Sequence, residues 1–222
     1  MLKLITGLRH FQSHLFESHR ALFERLGEGQ SPEVLFITCS DSRINPNLMT
    51  NTAPGDLFIL RNAGNIIPPH GSGNTGEAAT IEFAVTALGV KDIIVCGHSA
   101  CGAMKGVLHP ENLDSMPAVK SWLSFADATR RIVNENYAHL EEEDKLNVAI
   151  QENVLVQIEN LRTLPSVAAG LVAGKLRIHG WTYKFQTGEV FCYSQEEGQF
   201  LPAVDVDYDK AQTRPKMAAS AI

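Results

Sequence analysis

Three short stretches constrain the fold of this chain more than anything else in it. Residues 34–38, 57–60 and 93–96 are apolar on both faces and rich in β-branched and aromatic side chains. A strand with one wet face alternates polar and apolar residues, whereas unbroken apolar strands belong to a parallel sheet covered on both sides. Between the second and third stretches, residues 77–88 have helical spacing and end at Gly89. Strand, helix, strand at that spacing predicts a βαβ unit, since parallel neighbours need a long crossover. The fold class predicted is α/β: a mostly parallel central sheet with flanking helices, an N-terminal helical arm and C-terminal edge strands.

The remaining pattern fits that frame. Leu4, Leu8, Phe11, Leu15, Leu22 and Leu26 recur at helical spacing up to Gly27 and Gly29 and predict the arm, residues 1–30. Residues 118–161 read as helical, with Pro165 as a stop. Residues 175–185 and 189–194 read as strands joined by the turn Gln186-Thr187-Gly188. After Pro202 the periodicity fades, so residues 203–222 read as an edge segment or flexible tail. No Pro/Gly/Ser-rich linker divides the 222 residues, and a single domain over 1–222 is expected.

With 19 basic against 25 acidic residues and no basic cluster, a nucleic-acid surface is not expected. No apolar run reaches the ~18 residues of a membrane span, and the charged N-terminus does not read as a signal peptide. The sequence predicts a soluble cytoplasmic protein. In a reducing compartment its four cysteines are metal ligands, catalytic groups or core residues.

Chemistry-bearing residues gather where two strands end: Cys39-Ser40-Asp41-Ser42-Arg43 and Gly97-His98-Ser99-Ala100-Cys101-Gly102. Ligands in open α/β sheets bind beyond the carboxyl ends of strands, so the two loops can share one crevice. Two thiolates and an imidazole suit zinc, and three protein ligands leave a tetrahedral position for water. Cys39, His98 and Cys101 are therefore the expected ligands of one zinc ion per subunit. A closed Cys3His site recruiting Cys96 is the alternative, because Cys96 and His98 alternate onto one strand face. Cys192 reads as a core residue. Asp41 and Arg43, two residues apart beside a ligand, can form an ion pair that keeps the carboxylate ionised and oriented.

Other signals read as ordinary structure. Gly71, Gly73 and Gly76 match G-x-G-x-x-G but follow Pro68-Pro69 instead of a strand, and read as a turn into a helix. His10 and His14, with Glu17, read as surface residues of a helix. His70 reads as a solvated loop residue and only a weak candidate for proton transfer. The acidic run 141–144 suits a helix N-terminus.

Taken together, the two strand-end motifs resemble the β-class carbonic anhydrases. The resemblance extends through Gln30-Ser31-Pro32, Pro54-Gly55-Asp56-Leu57-Phe58, Arg61-Asn62-Ala63-Gly64-Asn65 and Ile178-His179-Gly180-Trp181, and so over roughly residues 1–200. Within the family the chain is most similar to the plant-type branch and its carboxysomal relatives in cyanobacteria. The resemblance implies reversible hydration of CO2 to bicarbonate and a proton by hydroxide on zinc, with Asp41 and Arg43 as the catalytic pair. It further implies that Gln30 and the backbone N–H of Gly102 meet the substrate, and that Phe58, Ala63 and Phe83 line an apolar CO2 pocket. At Phe83 plant relatives carry tyrosine, so a phenol is lacking there. The family is built on dimers in which Gln30 and Phe58 serve the other subunit's zinc, and the dimers assemble further. Location in carboxysomes and a scaffold-protein partner there follow from resemblance alone. The competing reading is a non-catalytic, zinc-stabilised scaffold or binding module in a carboxysome-like assembly.

Overall fold

The computed structural model describes residues 1–73 and 75–206, and the tail expected over 207–222 lies outside the described residues. The chain divides into two compact units, Met1–Ser31 and the remainder from Pro32. In the first, helices α1 (Leu2–His10), α2 (Phe16–Ser18) and α3 (Arg20–Glu28) follow one another, with a π-helical turn at Phe11–Leu15. The rings of Phe16 and Phe23 stack at 5.3 Å and Phe11 meets Phe23 edge-on at 5.8 Å, while Leu4, Leu8 and Leu15 are exposed. The backbone leaves the helix at Gly29, as the sequence predicts.

The second unit holds a six-stranded sheet among the described residues, in the order β2-β1-β3-β4-β5-β6. Strands β1 (Val34–Cys39), β2 (Leu57–Asn62), β3 (Asp92–His98) and β4 (Arg177–Tyr183) are parallel. Strands β5 (Val190–Ser194) and β6 (Gln199–Pro202) add an antiparallel edge. The three apolar runs are thus the first three strands. The helical link from β2 to β3 passes over β1, so those two strands are not neighbours as a minimal βαβ unit would have them.

Around the sheet lie α4 (Pro46–Thr50), α5 (Gly76–Glu82), α6 (Gly102–Leu108), α7 (Pro117–Leu123), α8 (Asp127–Asn136), α9 (Glu142–Thr163) and α10 (Pro165–Val172). Thr75 Oγ1 caps α5 by accepting from the Ala78 N–H at 3.2 Å, and Gly71 and Gly73 adopt positive φ in the turn before it. That is the turn expected of the glycine motif. The helix runs on as a π-helical segment, Phe83–Leu88, and stops at Gly89 in the left-handed conformation.

Two expectations gain detail. Residues 118–161 are helical in three pieces, α7, α8 and α9, parted by a 3-10 turn at Ser124–Ala126 and a loop at 137–141. Pro165 does not simply stop a helix. It opens α10 from its first position, where the missing N–H costs nothing, while Leu164 before it is extended. Pro117 opens α7 in the same way.

One face of the sheet carries Leu35, Ile37, Ile93, Val95 and Ile178, packed against Val154, Ile158 and Leu161 of α9. Phe36, Ile94 and Cys96 cover the other face with Trp181. Helix α9 lies close on the sheet because Gly97 and Gly180 have no side chain. A Cβ at Gly97 would meet Ile150 Cγ2 at 3.0 Å, and one at Gly180 would meet Ile158 Cδ1 at 3.0 Å. Close packing of this kind seats α9 on β3 and β4 near the carboxyl end of β3, where polar residues collect.

Candidate metal centre

Cys39 closes β1, His98 closes β3, and Cys101 sits just before α6. Their donor atoms all lie within 4.8 Å of one another, and among the described residues this is the group able to hold a metal ion. All three side chains are buried. Ala100, between His98 and Cys101, has φ +53, which lets the chain double back within three residues.

The histidine is set up as a ligand. Its Nδ1 lies 3.0 Å from the Ser99 carbonyl oxygen, an acceptor, so Nδ1 carries the hydrogen and Nε2 keeps a lone pair. Nε2 is buried without a hydrogen-bond partner among the described residues. Such an orphaned atom beside two thiols fits a soft-to-borderline cation, and a sulfur–sulfur–nitrogen set suits zinc. The Cys39 thiol is pulled well below its ordinary range. Hydrogen bonding from Cys101 does most of this, against the cost of burial, with help from His98 and the Gly64 N–H, while Cys101 is pushed up in turn. One thiolate is therefore favoured even before a cation is present.

Cys96 does not join the group. It shares a strand face with His98 but packs among Phe36, Ile44 and Ile94, outside the donor group, and burial pushes its thiol up. The closed Cys3His arrangement is thereby excluded among these residues. His10 and His14 form no metal group either: their rings stack at 4.8 Å, and Glu17 is engaged by Arg20.

Asp41 stands beside the ligands, its Oδ2 4.0 Å from His98 Nε2. Arg43 grips it through Nε to Oδ1 at 2.9 Å and Nη2 to Oδ2 at 2.7 Å. These bonds hold the Asp41 carboxyl well below the usual carboxylate range. Arg43 is itself seated, donating to the Ala100 carbonyl at 3.2 Å and lying 4.5 Å over the Phe185 ring. The same ring lies 4.9 Å from His98.

A family model described as carbonic anhydrase matches residues 34–190. The chain is 54% identical over 196 residues to a carbonic anhydrase of Synechococcus elongatus, covering 88% of this chain and 72% of that protein. The chain belongs to the β-class carbonic anhydrases. A carbonic anhydrase of a Synechocystis species is 53% identical, over 87% of this chain and 71% of its own length. The solved β-carbonic anhydrase CcaA superposes with a TM-score of 0.89 at 51% identity, over 91% of this chain and 98% of that one. A tetrameric β-carbonic anhydrase of Sordaria macrospora superposes with a TM-score of 0.78 at 29% identity, over 86% and 94%. Carbonic anhydrase is accordingly the activity of this chain. No helix of the described residues is long and apolar enough to cross a membrane.

The structure sets the other residues implied by the β-class resemblance as follows. Gly102 opens α6 directly after Cys101. Phe58 and Phe83 face each other with ring centroids 6.0 Å apart, and Phe83 is 48% exposed. Ala63 is exposed, and its carbonyl accepts from Trp122 Nε1 at 2.8 Å. Gln30 is an exposed residue of the N-terminal unit. His70 is exposed on its loop, with its backbone N–H bound to Thr163 Oγ1.

Sequence reasoning gave no role to Arg61, Gly64 or Phe185. Arg61 binds the carbonyls of both Cys39, at 3.0 Å, and Asp41, at 2.7 Å, which ties the first loop together. The Gly64 N–H points at Cys39 Sγ, 3.4 Å away. Arg61 and Gly64 fall in the motif Arg61-Asn62-Ala63-Gly64-Asn65, so the signal was present but carried no chemistry by itself.

Proposed function

We propose that this carbonic anhydrase is zinc-dependent and hydrates CO2 reversibly to bicarbonate and a proton, with Cys39, His98 and Cys101 as ligands of one zinc ion per subunit. The observation that carries the reading is the buried, unpartnered His98 Nε2 within 4.8 Å of two cysteine sulfurs. Bound there, zinc supplies Lewis-acid chemistry that brings the ionisation of water close to neutrality.

The chain's own residues do the rest. Asp41, held ionised by Arg43, accepts the O–H of the attacking oxygen and turns its lone pair towards the carbon of CO2. Arg43 acts on Asp41 and does not need to touch substrate. Phe58, Ala63 and Phe83 provide an apolar surface suited to CO2, which has no net dipole to solvate. Gln30 and the Gly102 N–H donate to the oxygens that gain charge as the new C–O bond forms. Bicarbonate then leaves and the proton passes to buffer. Gln30 and Phe58 act on the other subunit of a homodimer, and such dimers build a larger homo-oligomer. The intact Asp41–Arg43 pair beside the three donors favours an enzyme over a scaffold module, which needs no such pair. Residence in carboxysomes with a scaffold partner is the further reading that the family resemblance implies.

Stopped-flow CO2 hydration on protein of measured zinc content tests the reaction. Turnover that scales with zinc and rises with pH through the neutral range is expected. Fully zinc-loaded protein without turnover at any pH would falsify the catalytic role. Light scattering reads the oligomer, and a monomer at micromolar concentration overturns the shared-site assignment of Gln30 and Phe58.

A further inference from the structure

Helix α9 rests on the sheet through Ile150, Val154 and Ile158, yet Asn153 and Gln157 are buried in the same interface at 1% and 0% exposure. A buried carboxamide is costly unless both ends are satisfied. Asn153, Gln157 and Asn160 stand at i, i+4 and i+7, one stripe of the helix. Within the stripe, Gln157 Nε2 donates to Asn153 Oδ1 at 2.9 Å, and Asn160 Nδ2 donates to Gln157 Oε1 at 3.2 Å.

Outward, the stripe binds the backbone of a single loop, the one that follows β2. Asn153 Nδ2 donates to the Gly64 carbonyl at 3.0 Å. Gln157 Oε1 accepts from the Ile67 N–H at 2.7 Å, and Asn160 Nδ2 donates to the Ile67 carbonyl at 2.9 Å. The loop's other end is tied by Asn62, whose side chain bonds both the N–H and the carbonyl of Ile66 at 2.8 Å. Between these anchors lies Gly64, with φ +84, packed so closely that an added Cβ would come within 2.9 Å of Ala103 Cβ. Its N–H is the one aimed at Cys39 Sγ.

We propose that Asn153, braced by Gln157, is a positioning residue of the metal site: by holding the Gly64 carbonyl it keeps the Gly64 N–H on the Cys39 sulfur. An N–H donor takes up part of a thiolate's charge, so less of it passes to the metal and the metal remains the stronger Lewis acid. Two anionic sulfurs weaken a zinc site as an acid, and this backbone donor offsets part of that loss. The inference rests on Cys39 being a zinc ligand.

The test uses cadmium-113 in place of zinc, with glycine labelled by nitrogen-15. In the unaltered protein, the Gly64 amide proton is expected to show scalar coupling to cadmium-113 through the Cys39 sulfur. Asn153→Ala is expected to lose that coupling, and in cobalt-loaded protein to shift the sulfur-to-metal charge-transfer band to lower energy. Thr129→Val removes a buried hydroxyl that also reaches Asn153 Oδ1, at 3.5 Å, without touching Gly64. It is expected to leave coupling and band unchanged. Should Asn153→Ala fail to fold, Asn153→Ser keeps a polar group in place and is read instead. A metal-loaded unaltered protein without the coupling overturns the proposal, as does a folded Asn153 variant that keeps both signals. Failure to bind metal at Cys39 at all removes the zinc reading as well, so the two failures are separable.

Discussion

Arg43 closes on Asp41 as a planar fork, and its own backbone N–H adds a third bond to Asp41 Oδ1 at 3.0 Å. Both carboxylate oxygens are therefore occupied by one guanidinium, and Arg43 is oriented in turn by Ala100 and Phe185. A carboxylate so held cannot swing freely, and one acceptor edge stays 4.0 Å from His98 Nε2.

Replacing Asp41 by Asn keeps the shape and removes the anion proposed to accept the attacking oxygen's hydrogen bond. Turnover is expected to fall about 100-fold, the typical loss when one oriented hydrogen bond to the reacting centre is removed. Zinc content is expected to stay unchanged, since Asp41 is not one of the three donors. Arg43→Lys keeps the charge without the fork and is expected to lose less activity. Stopped-flow rates beside metal analysis check both. A variant with full turnover removes the role assigned to Asp41.

Gly97 and Gly180 let α9 approach the sheet, and alanine at either would press against Ile150, Val154 or Ile158 at 3.0–3.1 Å. Overpacking of this kind costs about 1–3 kcal/mol. Urea unfolding of Gly97→Ala and Gly180→Ala is expected to show reduced midpoints at unchanged slope. Equal midpoints would mean that the helix shifts at no cost.

The grouping of Cys39 with His98 and Cys101 was legible in the sequence because β1 and β3 are unbroken apolar runs that leave Cys39 and His98 at their ends, where an α/β sheet binds ligands. Asp41 and Arg43 were legible because both halves of the pair lie on one loop. What escaped has a common physical cause, which is long range in sequence. Phe185 reaches Arg43 and His98 from beyond β4, and Asn153 meets Gly64 from 89 residues away. The breaks near residues 124 and 137 escaped because the sequence reads as helical on both sides of each. Asn153, Gln157 and Asn160 did carry a signal, since three carboxamides recur at helical spacing beside Val154, Ile158 and Leu161. Only the structure gives them a partner.

At the far end of the sheet, Asp92 pairs with Arg177 through two bonds of 2.7 Å and with His179 Nε2 at 2.7 Å. Burial pushes the Asp92 carboxyl up, but the His179 and Arg177 hydrogen bonds outweigh it, and the net direction is down. A depressed folded-state pKa contributes stability above the unfolded pKa, near 3.9, which is lost as pH falls through the folded value. The stability advantage of the unaltered protein over Asp92→Asn is therefore expected to be full at pH 6 and to shrink below pH 4. Denaturant titrations of both proteins across that range check it. A difference independent of pH would assign the cluster's contribution to shape and not to charge.

Stripping the metal bears on the site and the fold together. Without a cation, His98 Nε2 lies buried with no partner among the described residues, and two thiols share one pocket. Binding to the folded state alone stabilises it by RT ln(1 + [L]/Kd), about 2.7 kcal/mol at a hundredfold excess over Kd. Dialysis against a chelator is expected to abolish CO2 hydration and lower the melting temperature. Added zinc is expected to restore both in parallel, whereas magnesium, which prefers oxygen ligands, is expected to restore neither. In Cys101→Ser the soft donor is replaced by a hard hydroxyl, so zinc is expected to restore little of either property. Recovery of the melting temperature without recovery of turnover would leave a structural zinc site and remove the catalytic one.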